Sequence, residues 1–319
     1  DAAVKSYEQA LAIKPDYAEA HSNLGVTLND LGQLDAAVKS CERALSIDPH
    51  NQIFWAGFSG ILRTIRFKSF NDSMVPYLLQ ALQQPSIRPQ NISGAIISML
   101  RHHPNLHIAL ETCETGAVKD KTNPLAGLLT SIPLLLQLME LCPIPDTEIE
   151  RLLRLIRQAT LRQLTDETIE PANLPFYVAL ALHCFTNEYV FLESSEETTE
   201  IEQLENKINS LLANNKPVPS LWVALLASYR PLHIFSWSSQ LSQSNSTDSI
   251  QKILTQQIDE VREEQQLRPE IKALSSINND TSQAVREQYE ENPYPRWVNP
   301  DLSAKPKTIR TVLQELKMD

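Results

Sequence analysis

Glycine and clustered positive charge are the scarcest features of this sequence. Only seven of its 319 residues are glycine, and none follows Gly127. A phosphate- or nucleotide-binding loop needs glycine where the backbone approaches the ligand closely, so we expect no such loop in the second half of the chain. The net charge of −11, without clusters of Lys and Arg, argues against binding to nucleic acid or to an anionic membrane.

Paired cysteines and long apolar runs are also lacking. The four cysteines are widely spaced and form no CxxC pair, which favours a reducing compartment and predicts a cytoplasmic protein. The most apolar run, residues 125–141, is interrupted by polar residues and by Pro133, so it predicts a buried core helix rather than a membrane span. The chain starts at Asp1 without a signal peptide, and we expect it to be a fragment or a processed piece.

The first fifty residues contain a repeat with a period of 34 residues. Residues 1–16 and 35–50 both begin with DAAVKS, and they share Glu, Ala-Leu, Ile and Pro at matching positions further along. This period is that of tetratricopeptide repeats, which are helix-turn-helix units that stack into a superhelix. The complete unit runs from Ala18 to Asn51. Because residue 1 falls at the start of a second helix, we expect further repeats upstream.

The complete unit resembles the tetratricopeptide family residue by residue. Gly25 allows the first helix to approach the second, Gly32 makes the turn, and Pro49 ends the second helix. His21 stands where the family prefers Trp. In this family the first helix of each unit lines a concave groove that binds a polypeptide, and the alternative is that the same positions are merely solvated. The groove candidates are Ser22, Asn23, Val26 and Asn29.

The repeat pattern ends after residue 51, and a different helical region follows. Trp55 matches the aromatic position of a third repeat, but Phe58-Ser59 replaces the expected Leu-Gly. Apolar residues keep a helical spacing to about residue 235, with frequent prolines between the segments. The sequence therefore predicts an all-α protein: repeats over residues 1–51, an all-helical domain over 52–235 that caps them, and a linker with helices over 236–319.

Three groups of side chains in the helical domain suggest chemistry, and each has a simpler structural interpretation. An arginine stripe is typical of an anion site but also of a solvated helix face. A histidine group straddles a proline and lacks the ligand spacing of a metal site, so no metal is expected. Adjacent His and Cys point in different directions on a helix, so no catalytic pair is expected. These groups are Arg151, Arg154, Arg157 and Arg162; His102, His103 and His107; and His183, Cys184 and Glu188.

Prolines near the carboxyl end hold a short aromatic string in an extended form. Two predicted helices, residues 250–269 and 280–290, precede the string ENPYPRW. Its prolines exclude a helix, so the string displays aromatic faces that stack on planar groups and a guanidinium that binds carboxylates. The alternative is that it fastens a linker to a neighbouring surface. The substrate or lid candidates are Tyr289, Asn292, Tyr294, Arg296 and Trp297.

Together, the repeat and several later strings resemble bacterial proteins that join tetratricopeptide repeats to a class I S-adenosylmethionine-dependent methyltransferase domain. The strings are the stretch from Phe54 to Phe70, CFTNEYVF, YRPLH and SQAVREQYEENPYPRW. In that family the last string stands just before the catalytic domain, whose glycine-rich loop binds the cofactor. Residues 298–319 contain no glycine. The resemblance therefore implies that this chain holds no cofactor site and no catalytic residue.

The resemblance implies a protein-interaction and adaptor region of a methyltransferase, not catalytic in isolation, with S-adenosylmethionine bound by a domain beyond it. Whether the chain itself is called an enzyme depends on that domain. The expected partner is a protein or peptide held by the repeat groove. A noncatalytic tetratricopeptide scaffold is the main alternative, and repeats that serve a glycosyltransferase or sulfotransferase are a third.

Overall fold

The computed structural model describes residues 2–116, 122–164, 172–243 and 250–270, and over these residues the chain is all-α, without strands. The predicted fold class is confirmed. The described residues form two compact units, and these divide at other places than the predicted domains. Residues 2–66 and 72–95 belong to the first unit, while residues 67–71 and those from 96 onward belong to the second.

The first unit is built from a series of helices joined by short turns. Its helices are α1 Ala2–Ile13, α2 Ala18–Asp30, α3 Leu34–Ile47, α4 Gln52–Thr64, α5 Val75–Gln83 and the larger part of α6 Pro89–Leu100. α2 packs on α1 and α3, and α4 packs on both α2 and α3. The turn between α2 and α3 is possible because Gly32 has φ +74°, a left-handed conformation that glycine adopts without strain. This confirms the role predicted for Gly32.

Close approach of α2 and α3 depends on Gly25. A Cβ at this position would lie 2.5 Å from Sγ of Cys41 and 3.1 Å from the carbonyl oxygen of Ala37, so only glycine fits without movement of the neighbours. Cys41 and Ala37 are themselves fully buried. The close contact predicted from the Leu24-Gly25 pair is therefore confirmed.

Helix α4 stacks where a third repeat would place its first helix. Asn51 caps α4 by accepting a hydrogen bond from the backbone N–H of Ile53. The buried face of α4 includes Trp55 and Phe58, and the Trp55 indole donates to the carbonyl oxygen of Pro49 at 2.8 Å. Helical stacking thus extends one helix beyond residue 51, although the repeat pattern has ended there.

The second unit surrounds a helix that is apolar on all sides. Twelve of the thirteen residues of α11 are buried, and the helix contacts α8, α9, α13 and α15. A helix without a polar face is expected at the centre of a domain. The helices of this unit after α6 are α7 Pro104–Glu114, α8 Thr122–Thr130, α9 Pro133–Leu141, α10 Thr147–Arg162, α11 Leu174–Thr186, α12 Ser195–Ala213, α13 Ser220–Ala227, α14 Ser238–Gln243, α15 Gln251–Leu254 and α16 Glu260–Leu267.

The apolar run over residues 125–141 forms two helices rather than the single predicted one. Pro133 occupies the first turn of α9, and a proline there prevents α8 from continuing. The axes of the two helices differ by 85°. Within the described ranges no single helix has the length and apolarity to cross a membrane, and only this bent pair, taken together, meets that criterion.

The predicted helix over residues 250–269 is interrupted by a π-helical segment, Thr255–Asp259, between α15 and α16. Gln257, fully buried in this segment, donates to the carbonyl oxygens of Ala181 and Ala227 and accepts from the N–H of Leu232. These bonds fasten the segment to α11 and α13. The predicted linker over residues 236–249 starts with helix α14 instead, and Trp237 is buried beside it. The predicted helix over residues 280–290 lies outside the described residues.

Candidate functional site

The groove candidates on α2 differ in their accessibility. Ser22 is only 4% exposed, because α4 approaches α2 closely at this point. A Cβ on Gly57 of α4 would lie 3.7 Å from Oγ of Ser22 and 3.4 Å from Cγ2 of Val26. In this structure Ser22 therefore contributes to the packing of two helices, while Val26 remains 39% exposed at the edge of the contact.

The two asparagines among the candidates have different surroundings. Asn23 is exposed to solvent. Asn29 is half-buried, and its Oδ1 accepts a hydrogen bond from Oγ1 of Thr64 at 3.2 Å. The side-chain amide nitrogen of Asn29 can donate hydrogen bonds at the edge where α2 meets α4. Val26 and Asn29 are thus brought beside α4.

Helix α4 adds residues that the sequence analysis did not select. A shift of 34 residues places Ile53, Ala56 and Gly60 at the positions that Glu19, Ser22 and Val26 occupy on α2. Ile53 is 76% exposed, Ala56 is exposed, and no atom lies within 4 Å of a Cβ built on Gly60. The 34-residue shift identifies these residues, although the loss of the Leu-Gly pair at Phe58-Ser59 marks the end of the repeat pattern. We call Val26, Asn29, Ile53, Ala56 and Gly60 the α2–α4 surface.

A family model described as tetratricopeptide repeat matches residues 18–51, and one described as TPR repeat matches residues 1–32. Residues 1–51 are tetratricopeptide repeats. The first match covers the same residues as the complete unit predicted from the 34-residue period. Tetratricopeptide repeats bind protein partners, so this part of the chain is a protein-interaction scaffold. No curated protein matches the chain.

The aromatic candidates near the carboxyl end lie outside the described residues. They are Tyr289, Asn292, Tyr294, Arg296 and Trp297. Their proposed role as a strap or lid stays a prediction. The candidates that the structure does describe beyond the tetratricopeptide repeats belong to the second unit.

The predicted arginine stripe on α10 is not a uniform solvated face. Arg151 and Arg162 are exposed as expected, but Arg157 is 1% exposed, so the interpretation as a solvated residue is wrong for Arg157. Its guanidinium carbon lies 3.8 Å from the ring centroid of Tyr229. Nη1 donates to the carbonyl oxygen of Ser228 at 3.0 Å. An aromatic face and a carbonyl thus replace the solvent around this charge.

Tyr229 connects Arg157 to a buried carboxylate. Its hydroxyl donates to Oε1 of Glu197 at 2.8 Å. The other oxygen of Glu197 accepts from Nε2 of Gln158 and from the N–H of Ser194, which caps α12. Burial raises the pKa of the Tyr229 phenol, and the hydrogen bond to Glu197 acts in the same direction, against the opposing charge of Arg157. Tyr229 therefore remains a protonated donor at neutral pH.

An ion pair lies next to this network, at the residue after Tyr229. Arg230 donates to both carboxylate oxygens of Glu193, at 2.6 and 2.8 Å. These hydrogen bonds hold the pKa of Glu193 below its ordinary value. The pair is bidentate and partly buried, the geometry in which Arg–carboxylate contacts are strongest.

His183 and Cys184 are adjacent, buried side chains without nucleophilic character. Burial lowers the pKa of His183 to about 4, against the effect of the nearby carbonyls of Met139 and Cys142. Nε2 of His183 pairs instead with Nδ2 of Asn187 at 3.0 Å. Burial raises the pKa of Cys184 to about 11, although Arg157 opposes the shift. At neutral pH the imidazole is uncharged and the thiol is protonated, the reverse of an activated pair.

The histidines near α7 have local roles. Nδ1 of His103 accepts from the N–H of Asn105 and caps the helix, and His107 pairs with Glu111 at 3.1 Å. Over the described residues, no group of three His, Cys, Asp or Glu side chains is arranged to hold a metal ion.

Proposed function

We propose that this chain binds a polypeptide along the α2–α4 surface. The observation that supports the proposal is the combination of exposed aliphatic side chains, Val26 and Ile53, with the small residues Ala56 and Gly60. Small residues allow a bound backbone to approach the helix, and aliphatic side chains exclude water from the contact. The amide of Asn29 supplies hydrogen-bond donors at the edge.

A displayed peptide library selected against the full chain tests this proposal. A bulky charge in the surface, Ala56→Arg, is expected to abolish binding of the selected peptides. The matched control is Ala36→Arg, since Ala36 is an exposed alanine on α3 outside the α2–α4 surface. Equal binding by both variants, measured by calorimetry, would place the peptide elsewhere on the protein.

The finer proposal is that the chain serves as the protein-interaction and adaptor region of an S-adenosylmethionine-dependent methyltransferase. Its support is the resemblance of the strings CFTNEYVF, YRPLH and ENPYPRW to that family. The second candidate is a noncatalytic scaffold, and the repeats favour it equally because they require no catalytic domain. The reading frame after Asp319 distinguishes the two, since a strand followed by a glycine-rich loop favours the methyltransferase and a stop codon favours the scaffold.

The methyltransferase proposal also concerns where S-adenosylmethionine binds. We expect no binding of S-adenosylmethionine by the chain itself, because the resemblance assigns the cofactor to a domain beyond it. Calorimetry with S-adenosylmethionine and the full chain measures this directly, and a saturable heat of binding would contradict the assignment. A cytoplasmic location is proposed with it, on the ground that all four cysteines are free and buried.

A further inference from the structure

The guanidinium of Arg157 has one hydrogen-bonding edge, Nε and Nη2, that meets no oxygen or nitrogen acceptor among the described residues. Nη1 donates to Ser228, and the guanidinium also contacts the thiol of Cys184, where it opposes the rise in pKa that burial causes. Nε and Nη2 point in the same direction and form the side-on fork with which arginine binds two oxygens at once. Arg157 is 1% exposed, so bulk solvent does not satisfy this fork.

The carboxylates closest to the fork already have other donors. Glu197 accepts from Tyr229, Gln158 and the N–H of Ser194, and Glu193 accepts from Arg230 and Thr198. Among the described residues, none forms an ion pair with Arg157. No carboxylate bonds directly to the guanidinium, although the charge of Arg157 acts with the hydrogen bonds of Arg230 to lower the pKa of Glu193.

Two aromatic rings hold the guanidinium in place. Its central carbon lies 3.8 Å from the centroid of Tyr229 and 5.3 Å from that of Phe191. A charge held between rings is preorganised, because the fork loses little rotational freedom when an anion binds. The guanidinium is buried, and burial strengthens any charge-assisted hydrogen bond that forms there.

The turn that carries Phe191 is strained. Glu188 and Tyr189 have φ +51° and +56°, in the left-handed region that residues with side chains seldom adopt. The hydroxyl of Tyr189 donates to the carbonyl oxygen of Ala227 and fastens the turn. Val190 and Leu192, on either side of Phe191, are 53% and 81% exposed. Phe191 thus lies near the guanidinium on a strained turn whose neighbouring side chains are exposed.

We propose that the Nε–Nη2 edge of Arg157 is a binding site for a small carboxylic acid, covered by the turn of residues 187–192. A carboxylate matches the spacing of the fork and carries a single negative charge. A phosphate dianion fits less well, because Glu197, which bonds to Tyr229, and Glu193, whose charge interacts with Arg157, repel a second negative charge. The proposal is independent of peptide binding at the repeats.

Nuclear magnetic resonance of arginine Nε–H groups in the full chain tests this site. Sodium acetate replaces sodium chloride at constant ionic strength, and sodium phosphate is titrated separately. We expect the Nε–H signal of Arg157, assigned by its loss in Arg157→Lys, to shift and saturate with acetate. The signal of exposed Arg151, assigned by Arg151→Lys, is expected to change only linearly. Phosphate is expected to give no saturating shift.

Each other result contradicts the proposal. A linear or absent response at Arg157 would show that acetate does not occupy the fork, and equal saturation by phosphate would refute the preference for a carboxylate. If Arg157→Lys fails to fold, the variant Phe191→Leu takes its place. Its smaller side chain covers the guanidinium less completely, so acetate should exchange faster, as seen at the one Nε–H signal that saturates with acetate. An unchanged exchange rate in this variant would rule out the turn as the cover.

Discussion

The two units of the chain bury different kinds of side chain. The repeats and the helices after them bury apolar residues, from Ala37 to Trp55, and among their described residues the only buried polar side chains are Ser22 and Ser93. The second unit buries Arg157, Glu197 and Gln257 together with their partners. Close approach of helices stabilises the first unit, whereas satisfied hydrogen bonds and compensated charges stabilise the second. Four experiments test this contrast, starting with the largest expected effect.

Acidic pH should destabilise the second unit through His183. Its pKa is about 4 in the folded protein and 6.5 in the unfolded chain, so below pH 6.5 the unfolded state binds the extra proton. Stability is fully present above pH 6.5 and falls until about pH 4. The pKa difference, at about 1.4 kcal/mol per unit, limits the loss to about 3 kcal/mol. Hydrogen exchange of α11 amides between pH 4 and 7 measures it.

The variant His183→Gln provides the control for the acid effect. It removes the titrating group and keeps an amide near Asn187, so its stability should depend less on pH over the same range. Amides of α3, in the first unit, should show no corresponding slope. Parallel pH profiles of the wild-type protein and His183→Gln would contradict the assignment to this residue.

Overpacking should destabilise the first unit most strongly at Gly25. In Gly25→Ala the new Cβ meets Sγ of the buried Cys41 at 2.5 Å and the carbonyl oxygen of Ala37 at 3.1 Å, so the thiol or the helices must shift. We expect a loss of about 2 kcal/mol, measured by chemical denaturation, since overpacked cores lose this much. The double variant Gly25→Ala/Cys41→Ala should recover part of the loss. A stability equal to wild type for the single variant would mean that α2 and α3 separate easily.

Loss of one hydroxyl should destabilise the second unit. Tyr229→Phe leaves Oε1 of buried Glu197 without its hydroxyl donor. An unsatisfied buried oxygen costs roughly 1–2 kcal/mol, and the ring still covers Arg157. Denaturation of Tyr229→Phe is compared with that of Tyr17→Phe, whose side chain is 40% exposed. Equal effects of the two variants would remove the evidence that polar contacts stabilise this unit.

The smallest expected effect is a gain in stability at Gly60. No atom lies within 4 Å of a Cβ at this helical position, so Gly60→Ala restricts the unfolded chain without a clash. We expect a gain of about 0.5–1 kcal/mol in the denaturation experiment used for Gly25→Ala. A loss of stability in Gly25→Ala together with a gain in Gly60→Ala would distinguish a tight helix contact from an open surface. A loss at Gly60 would show that this surface is already covered.

The same contrast explains what the sequence predicted. The repeats follow a local rule with a fixed period, so the positions of Gly25 and Gly32 in the sequence predict their roles. The four arginines of α10 look alike in the sequence. Only Arg157 meets Ser228 and Tyr229, more than seventy residues away, and no local pattern indicates such a pairing. No local pattern predicts the π-helical segment either, because Gln257 bonds to Ala181 and Ala227, both distant in sequence.

The candidate surface was predicted only in part for a related reason. The family pattern identified α2 but gave no information on the packing of Ser22 under α4. The surface residues of α4 were not predicted because Phe58-Ser59 breaks the Leu-Gly signature, although Trp55 matches the aromatic position of the repeat. Pattern recognition depends on residue identity, whereas stacking depends on shape.

The position of Trp55 has a consequence for how repeats are counted. Its indole, fully buried and bonded to Pro49, fixes α4 in the register of another unit after the sequence signature has faded. A repeat can lack the recognisable sequence signature while the packing of its first helix keeps its place in the stack. The number of recognisable units is then a lower bound on the length of the superhelix, and a binding surface can extend past the last unit that sequence comparison detects.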